Sequence, residues 1–201
     1  MIKYENVSFR YRNEPVLRRI NLAVNGGEIV TILGENGSGK STLLKLGCDL
    51  LEPTEGDITV YAPRLSYLPQ SLQFPGKLTV SDLLDFYDEL ESKQRDPTIK
   101  RLLQIEDVET RRFRTLSGGQ QRRVGLYLAL GKPADLYCLD EPFAGLSPEL
   151  VTSLTEYLHQ SPSAVLFSSH LWERAVSISD RAFQLQEGLL SAPSKPEEIL
   201  P

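Results

Sequence analysis

Three short stretches of the chain hold residue types at spacings that suit phosphate chemistry. Residues 34–42 read GENGSGKST, which fits the pattern G-x-x-x-x-G-K-[ST]. Gly34, Gly37 and Gly39 allow backbone geometries that bring main-chain N–H groups close to phosphate oxygens. The whole segment, with Glu35, Asn36, Ser38 and Thr42, is a candidate nucleotide-phosphate loop. Lys40 would reach the β- and γ-phosphates of a nucleotide, and the Ser41 hydroxyl would ligate Mg²⁺. The second stretch, ADLYCLDEP at 134–142, is an apolar strand ending in two carboxylates. If it runs beside the strand feeding the glycine-rich loop, it carries Asp140 toward the Mg²⁺ shell. Glu141, one residue on, could orient or deprotonate an attacking water. The third stretch is LSGGQ at 116–120. A serine at a helix start followed by two glycines makes an anion site from N–H groups and the helix dipole. A chain with one phosphate loop needs another purpose for a second such start.

The elements around these stretches must position them. Residues 2–9 and 17–24 alternate apolar and polar side chains, and 27–34 ends in a continuous apolar run, so the first part reads as strands. A helix is expected over 41–51, then short strands at 56–60 and 65–69. Helical spacing covers 79–92, 97–109 and 118–132, with Thr79 and Ser117 as candidate N-caps. Strands and helices then alternate over 134–140, 148–160, 164–170, 171–179 and 181–188, which points to a mostly parallel, covered sheet. The expected plan is an α/β core from 1–75 and 132–190, a helical lobe inserted at 76–131, and a proline-bearing tail at 191–201.

Composition bounds the partners. With 22 Lys and Arg against 27 Asp and Glu, the formal net charge is −5, which argues against a dedicated nucleic-acid surface. The most basic stretch, Arg111, Arg112, Arg114, Arg122 and Arg123, reads better as a solvated helix face than as a nucleic-acid patch. Hydrophobic residues make up 40% and charged residues 24%, values of an ordinary soluble globular chain. The first residues carry charges where a signal peptide needs an apolar segment, and no window approaches 18 apolar residues. Cys48 and Cys138 lack metal-ligand spacing and fit a reducing cytoplasm.

With these motifs in this order, the sequence resembles the ATP-binding-cassette ATPases, whose signature is the LSGGQ pentapeptide. The resemblance covers nearly the whole chain. It implies a phosphate-loop NTPase core with a small antiparallel β-subdomain and an inserted α-helical signature subdomain. It also implies that Ser117, Gly118, Gly119 and Gln120 close over ATP held by the phosphate loop of another subunit. Tyr11 matches the aromatic that stacks on adenine. Gln70 matches the glutamine that links the Mg²⁺ site to the helical lobe, which implies a catalytic role and a place among the Mg²⁺ ligands with Ser41 and Asp140; His170 matches the switch histidine beside the γ-phosphate and water. The expected function is the ATP-hydrolysing subunit of a membrane transporter. Such a subunit dimerises, with itself or another cassette, around two ATP and drives a separate integral membrane permease subunit. Its place would be cytoplasmic, on the inner face of the membrane. The alternative is a soluble cassette serving assembly of a macromolecular complex, such as an iron–sulfur cluster system. One departure stands out: Ser147 occupies the position where the family usually has an aspartate that communicates across the dimer. Ser147 either caps the following helix or marks weakened coupling between sites.

Overall fold

The computed structural model describes residues 1–90 and 95–191, apart from the side chains of 173, 174 and 176. The strands are β1 (Ile2–Tyr11), β2 (Glu14–Val24), β3 (Ile29–Leu33), β4 (Glu55–Val60), β5 (Leu65–Leu68), β6 (Leu136–Asp140), β7 (Ala164–Ser169), β8 (Arg181–Gln186) and β9 (Leu189–Leu190). The helices are α1 (Lys40–Gly47), α2 (Val80–Leu90), α3 (Pro97–Leu102), α4 (Gly118–Leu130), α5 (Pro148–Gln160) and α6 (Trp172–Ile178). The expected tail and the last two residues of the expected 79–92 helix lie outside the described residues, Ser191 excepted. The chain divides into two units, one of residues 1–69, 134–141 and 161–191, the other of 70–133 and 142–160.

The first unit contains two sheets. One is antiparallel, in the order β2-β1-β4; the other runs β5-β6-β7-β3-β8-β9 and is parallel except for β9. Every residue of β3, β6 and β7 is buried, as expected for central strands of a covered parallel sheet. β1 shows how a simple alternation is modified. Ile2 and Tyr4 face the core, a register shift follows at Asn6 (φ 50°), and Val7 and Phe9 then face the core again. The bulge lets four apolar side chains share one face although their sequence spacing is uneven.

Helix α1 joins the two sheets. Leu43, Leu44 and Leu46 enter one core cluster with Tyr4 and Leu17 from the antiparallel sheet and Leu136, Cys138 and Leu166 from the parallel one. The buried Tyr4 hydroxyl donates to the Leu43 carbonyl at 3.1 Å, and burial pushes its pKa well above the usual range for tyrosine. Tyr4 thereby fixes the helix that begins at Lys40.

The sequence reading places the Asp140 strand beside the phosphate-loop strand. The sheet order corrects this: β7 lies between β3 and β6. Register Asp140↔Ser168 on one side of β7 and Leu33↔Ser169 on the other puts both strand ends at the same edge of the sheet. A strand order that is not sequential leaves this crevice beyond the carboxyl ends of parallel strands.

The second unit is helical, built around Leu83, Ile99, Val108, Phe113, Val124 and Leu154. Helix α2 starts in a reciprocal cap: the Asp82 N–H donates to Thr79 Oγ1 at 3.1 Å and the Thr79 N–H to Asp82 Oδ2 at 2.8 Å. The expected 97–109 helix stops early. Gln104 adopts φ 51°, its N–H bonds the Arg101 carbonyl, and the Ile105 N–H bonds the Lys100 carbonyl. This is the double hydrogen-bond closure that ends helices, here built on glutamine where glycine is usual. The break lets Ile105 and Val108 both pack inward.

Tyr4→Phe is expected to lower stability by about 1 kcal/mol, the net worth of one buried hydrogen bond. Urea denaturation should show a lower midpoint with an unchanged slope.

Candidate phosphate-binding and catalytic site

The fully buried β3 delivers the chain to Gly34, whose N–H is tied to the Ser169 carbonyl at 3.3 Å. The loop then turns into α1 through Gly39, at φ 106°, a conformation that a residue with a Cβ rarely adopts. Lys40 folds back over this loop, its Nζ donating to the Gly34 carbonyl at 2.8 Å and the Glu35 carbonyl at 2.9 Å. The first turn of α1 carries no acidic side chain, so nothing offsets the helix's positive end. Ser38 Oγ is buried without a hydrogen-bond partner among the described residues. A loop with an orphaned hydroxyl, an ammonium and an uncompensated helix start fits a phosphate chain.

β6 and β7 bring the candidate hydrolytic groups to the same edge. Asp140 and Glu141 are almost wholly buried, and Glu141 sits at φ 54°. Ser168, opposite Asp140 on β7, donates to Asp140 Oδ1 at 2.5 Å and accepts the Glu141 N–H at 2.9 Å. One buried hydroxyl therefore orients both carboxylate residues. Glu141 Oε2 lies 2.9 Å from His170 Nδ1, and Glu141 Oε1 lies 3.8 Å from Lys40 Nζ. A carboxylate at that distance requires Nδ1 to be the protonated ring nitrogen, which leaves Nε2 available.

Two oxygen donors of the right type for a hard cation, Ser41 and Asp140, are present. Among the described residues no group of three or more His, Cys, Asp or Glu could enclose a metal by itself. That donor set fits a Mg²⁺ whose other ligands are phosphate oxygens and water. Lys40, the loop 34–42, Asp140, Glu141 and His170 thus gather in the first unit. Tyr11 ends β1, is 45% exposed, and makes an edge-on contact with Phe9 at 4.8 Å.

Gln70 and the LSGGQ residues belong to the second unit. Ser117 caps α4 through a full capping box: Ser117 Oγ accepts the Gln120 N–H at 3.3 Å, and Gln120 Oε1 accepts the Ser117 N–H at 3.0 Å. A Cβ on Gly119 would lie 2.6 Å from the Gly145 carbonyl oxygen, so the loop 143–147 rests directly on the start of α4. Ser117, Gly119, Gly145 and Ser147 line one cleft of about 500 Å³. Ser147 caps α5, its Oγ accepting the Leu150 N–H at 3.4 Å. The Glu149 backbone N–H and the Ser147 hydroxyl hold the Glu149 carboxyl below its ordinary pKa.

The basic stretch has partners inside the unit. Arg111 donates to Gln120 and to the Thr115 carbonyl, Arg122 to the Gln70 carbonyl at 3.3 Å, and Arg123 to Gln104. Sequence reasoning missed Ser168 as well as these braces. The only signal for Ser168 was that it is the first of two serines closing an otherwise apolar strand, two residues before His170.

The strand-loop-helix arrangement around Lys40, with a carboxylate pair on a parallel strand, defines a phosphate-loop nucleotide hydrolase. Comparisons with known proteins narrow the class. The pattern of the ABC transporter family matches residues 17–144. The lipopolysaccharide export system ATP-binding protein LptB of Escherichia coli K12 is 31% identical over 219 residues, covering 98% of this chain and 91% of LptB. The zinc import ATP-binding protein ZnuC of Psychrobacter arcticus is 36% identical over 179 residues, covering 85% of this chain and 73% of ZnuC. A solved ATP-binding subunit of an ABC transporter superposes with a TM-score of 0.87 at 26% identity, covering 99% of this chain and 91% of that one. A dimeric bacterial ABC transporter cassette, at 23% identity and TM-score 0.82, shares the fold. The chain belongs to the ABC transporter family, as an ATP-binding, ATP-hydrolysing subunit.

Ser168→Ala is expected to lower the ATPase kcat about 10- to 100-fold, the usual cost of removing a partner that orients metal-binding or catalytic carboxylates. Steady-state phosphate release against ATP concentration checks this.

Proposed function

We propose that the chain works as half of an ATP-driven clamp that moves a separate integral membrane permease subunit. The observation that carries this reading is the Lys40–Glu141–His170 cluster beside the phosphate loop. In the proposed cycle, main-chain N–H groups of 34–42 and the α1 start hold the phosphates, and Lys40 leaves its carbonyl partners for the β/γ-phosphate oxygens. Ser41 and Asp140 would hold Mg²⁺, which when bound neutralises charge on the phosphate oxygens. Glu141 takes the proton of the attacking water as the water oxygen bonds the γ-phosphorus and the bond to the β,γ-bridging oxygen breaks, giving ADP and inorganic phosphate. His170 Nδ1–H steadies the Glu141 carboxylate, and its Nε2 accepts a hydrogen bond from the attacking water. Tyr11 stacks on the adenine ring.

The other half of each site comes from a second chain, a copy of this one or a different cassette. Its Ser117 hydroxyl and Gly118 and Gly119 N–H groups bond the γ-phosphate of ATP held here, and two-fold symmetry repeats the arrangement. A few charge-assisted hydrogen bonds at roughly 1.5–3 kcal/mol each supply the ~5.5 kcal/mol that switches a two-state population. Hydrolysis removes the bridging phosphate and the clamp opens.

Among the described residues no helix is long and apolar enough to cross a membrane. A transporter subunit of this kind acts at the cytoplasmic face through its permease. LptB and ZnuC carry names of export and import systems, so the direction of transport here is not inherited from them.

Lys40→Ala is expected to cut ATP hydrolysis by at least about 100-fold, as for loss of a donor that stabilises developing charge. Tagged protein with ATP, drawn from detergent-solubilised host membranes, should bring down a multi-span protein in near-equal amount by mass spectrometry. Recovery of soluble partners alone would contradict the permease assignment.

A further inference from the structure

Arg111 carries no part of the reading above, yet its guanidinium sits at the back of the signature turn. Its backbone is held on both sides: the Arg111 N–H bonds the Val108 carbonyl at 2.9 Å, and the Val80 N–H bonds the Arg111 carbonyl at 3.0 Å. From this base the side chain spans two acceptors. Nη1 donates to Gln120 Oε1 at 3.2 Å and Nη2 to the Thr115 carbonyl at 3.1 Å. Gln120 Oε1 simultaneously accepts the Ser117 N–H. Two donors converging on one amide atom require that atom to be the oxygen, so Arg111 fixes which way the Gln120 amide faces.

That orientation decides what Ser117 can do. Ser117 Oγ already accepts the Gln120 N–H, so its own proton is the remaining group with which to meet an anion. With the amide oxygen occupied by Arg111 and the Ser117 N–H, it has little capacity left to accept the Ser117 O–H. Without Arg111 that amide oxygen is free to take the hydroxyl proton or to swing away and open the capping box. The planar guanidinium fork suits this two-point span, whereas an ammonium is a single point charge.

We propose that Arg111 is a positioning residue for the signature turn: it locks the Gln120 amide and so keeps the Ser117 hydroxyl as a donor to the γ-phosphate held by the partner chain. The proposal rests on the clamp reading. It predicts an effect on the closed dimer and none on ATP binding by the separate chain, whose phosphate loop lies in the first unit.

The test uses full-length protein in the Glu141→Gln background. Sedimentation velocity with saturating ATP reads the dimer dissociation constant, and a fluorescent ATP analogue at low protein concentration reads nucleotide affinity of the monomer. Arg111→Ala should weaken the dimer by at least about 100-fold, the worth of one charge-assisted hydrogen bond lost at each of its two sites. Monomer nucleotide affinity should stay within twofold, and Arg111→Lys should not restore dimerisation. Adding Arg111→Ala to Gln120→Ala should weaken the dimer no further, because both act through one amide. A dimer unaffected by Arg111→Ala, full additivity of the two substitutions, or equal loss of monomer nucleotide binding would overturn the proposal. If Glu141→Gln alone stays monomeric with ATP, the clamp reading falls and this assignment falls with it.

Discussion

A carboxylate taken almost wholly out of water keeps its charge only beside compensating partners, and Glu141 is such a group. Its compensation comes from Lys40 on one side and His170 on the other. Those residues lie at the start of α1 and just past the end of β7, so the ion cluster requires three separate elements to finish at one edge of the sheet. The buried apolar faces of β3, β6 and β7 supply that alignment, and Ser168 ties Asp140 and the Glu141 backbone to the neighbouring strand. Tyr4 fixes α1 from the antiparallel sheet. Much of the first unit can therefore be read as the support of one charged cluster.

Under the proposed clamp the second unit meets a different requirement. A helix start that is to receive an anion must leave some first-turn N–H groups unsatisfied while the turn itself stays rigid. The capping box consumes the Ser117 and Gln120 N–H groups and leaves those of Gly118 and Gly119, which no helical carbonyl can reach. Rigidity comes from outside α4: Arg111 on Gln120, the Gln121 amide on the Phe113 and Leu116 carbonyls, and the close approach of Gly145 to Gly119. A basic stretch that could suggest a nucleic-acid surface is in large part internal bracing.

Features set by local chemistry were readable from the sequence alone. The glycine-rich loop, the Asp140–Glu141 pair and the Ser117 cap each follow from residue types within a few positions. Elements with strong periodicity, such as α5 over 148–160, were found with the right limits. What escaped depends on contacts between distant segments. Nothing near Asp140 reveals that β7 intervenes before β3, or that Ser168 stands opposite it. Gln104 ends α3 in a conformation usually left to glycine, so the helical pattern through 109 gave no stop signal. Arg111 and Gln120 are nine residues apart across a turn that periodicity does not describe. Ser147 caps α5, a local role that an aspartate would fill equally, whereas the coupling reading concerns a second chain.

The central claim is that one chain supplies only half of each hydrolytic site and that the γ-phosphate holds two chains together. The most direct measurement is the mass of Glu141→Gln protein in solution by sedimentation velocity, with ATP, with ADP and without nucleotide. The account predicts a dimer with ATP and a monomer in the other two conditions. A protein that remains monomeric at saturating ATP, while binding the nucleotide, would contradict it.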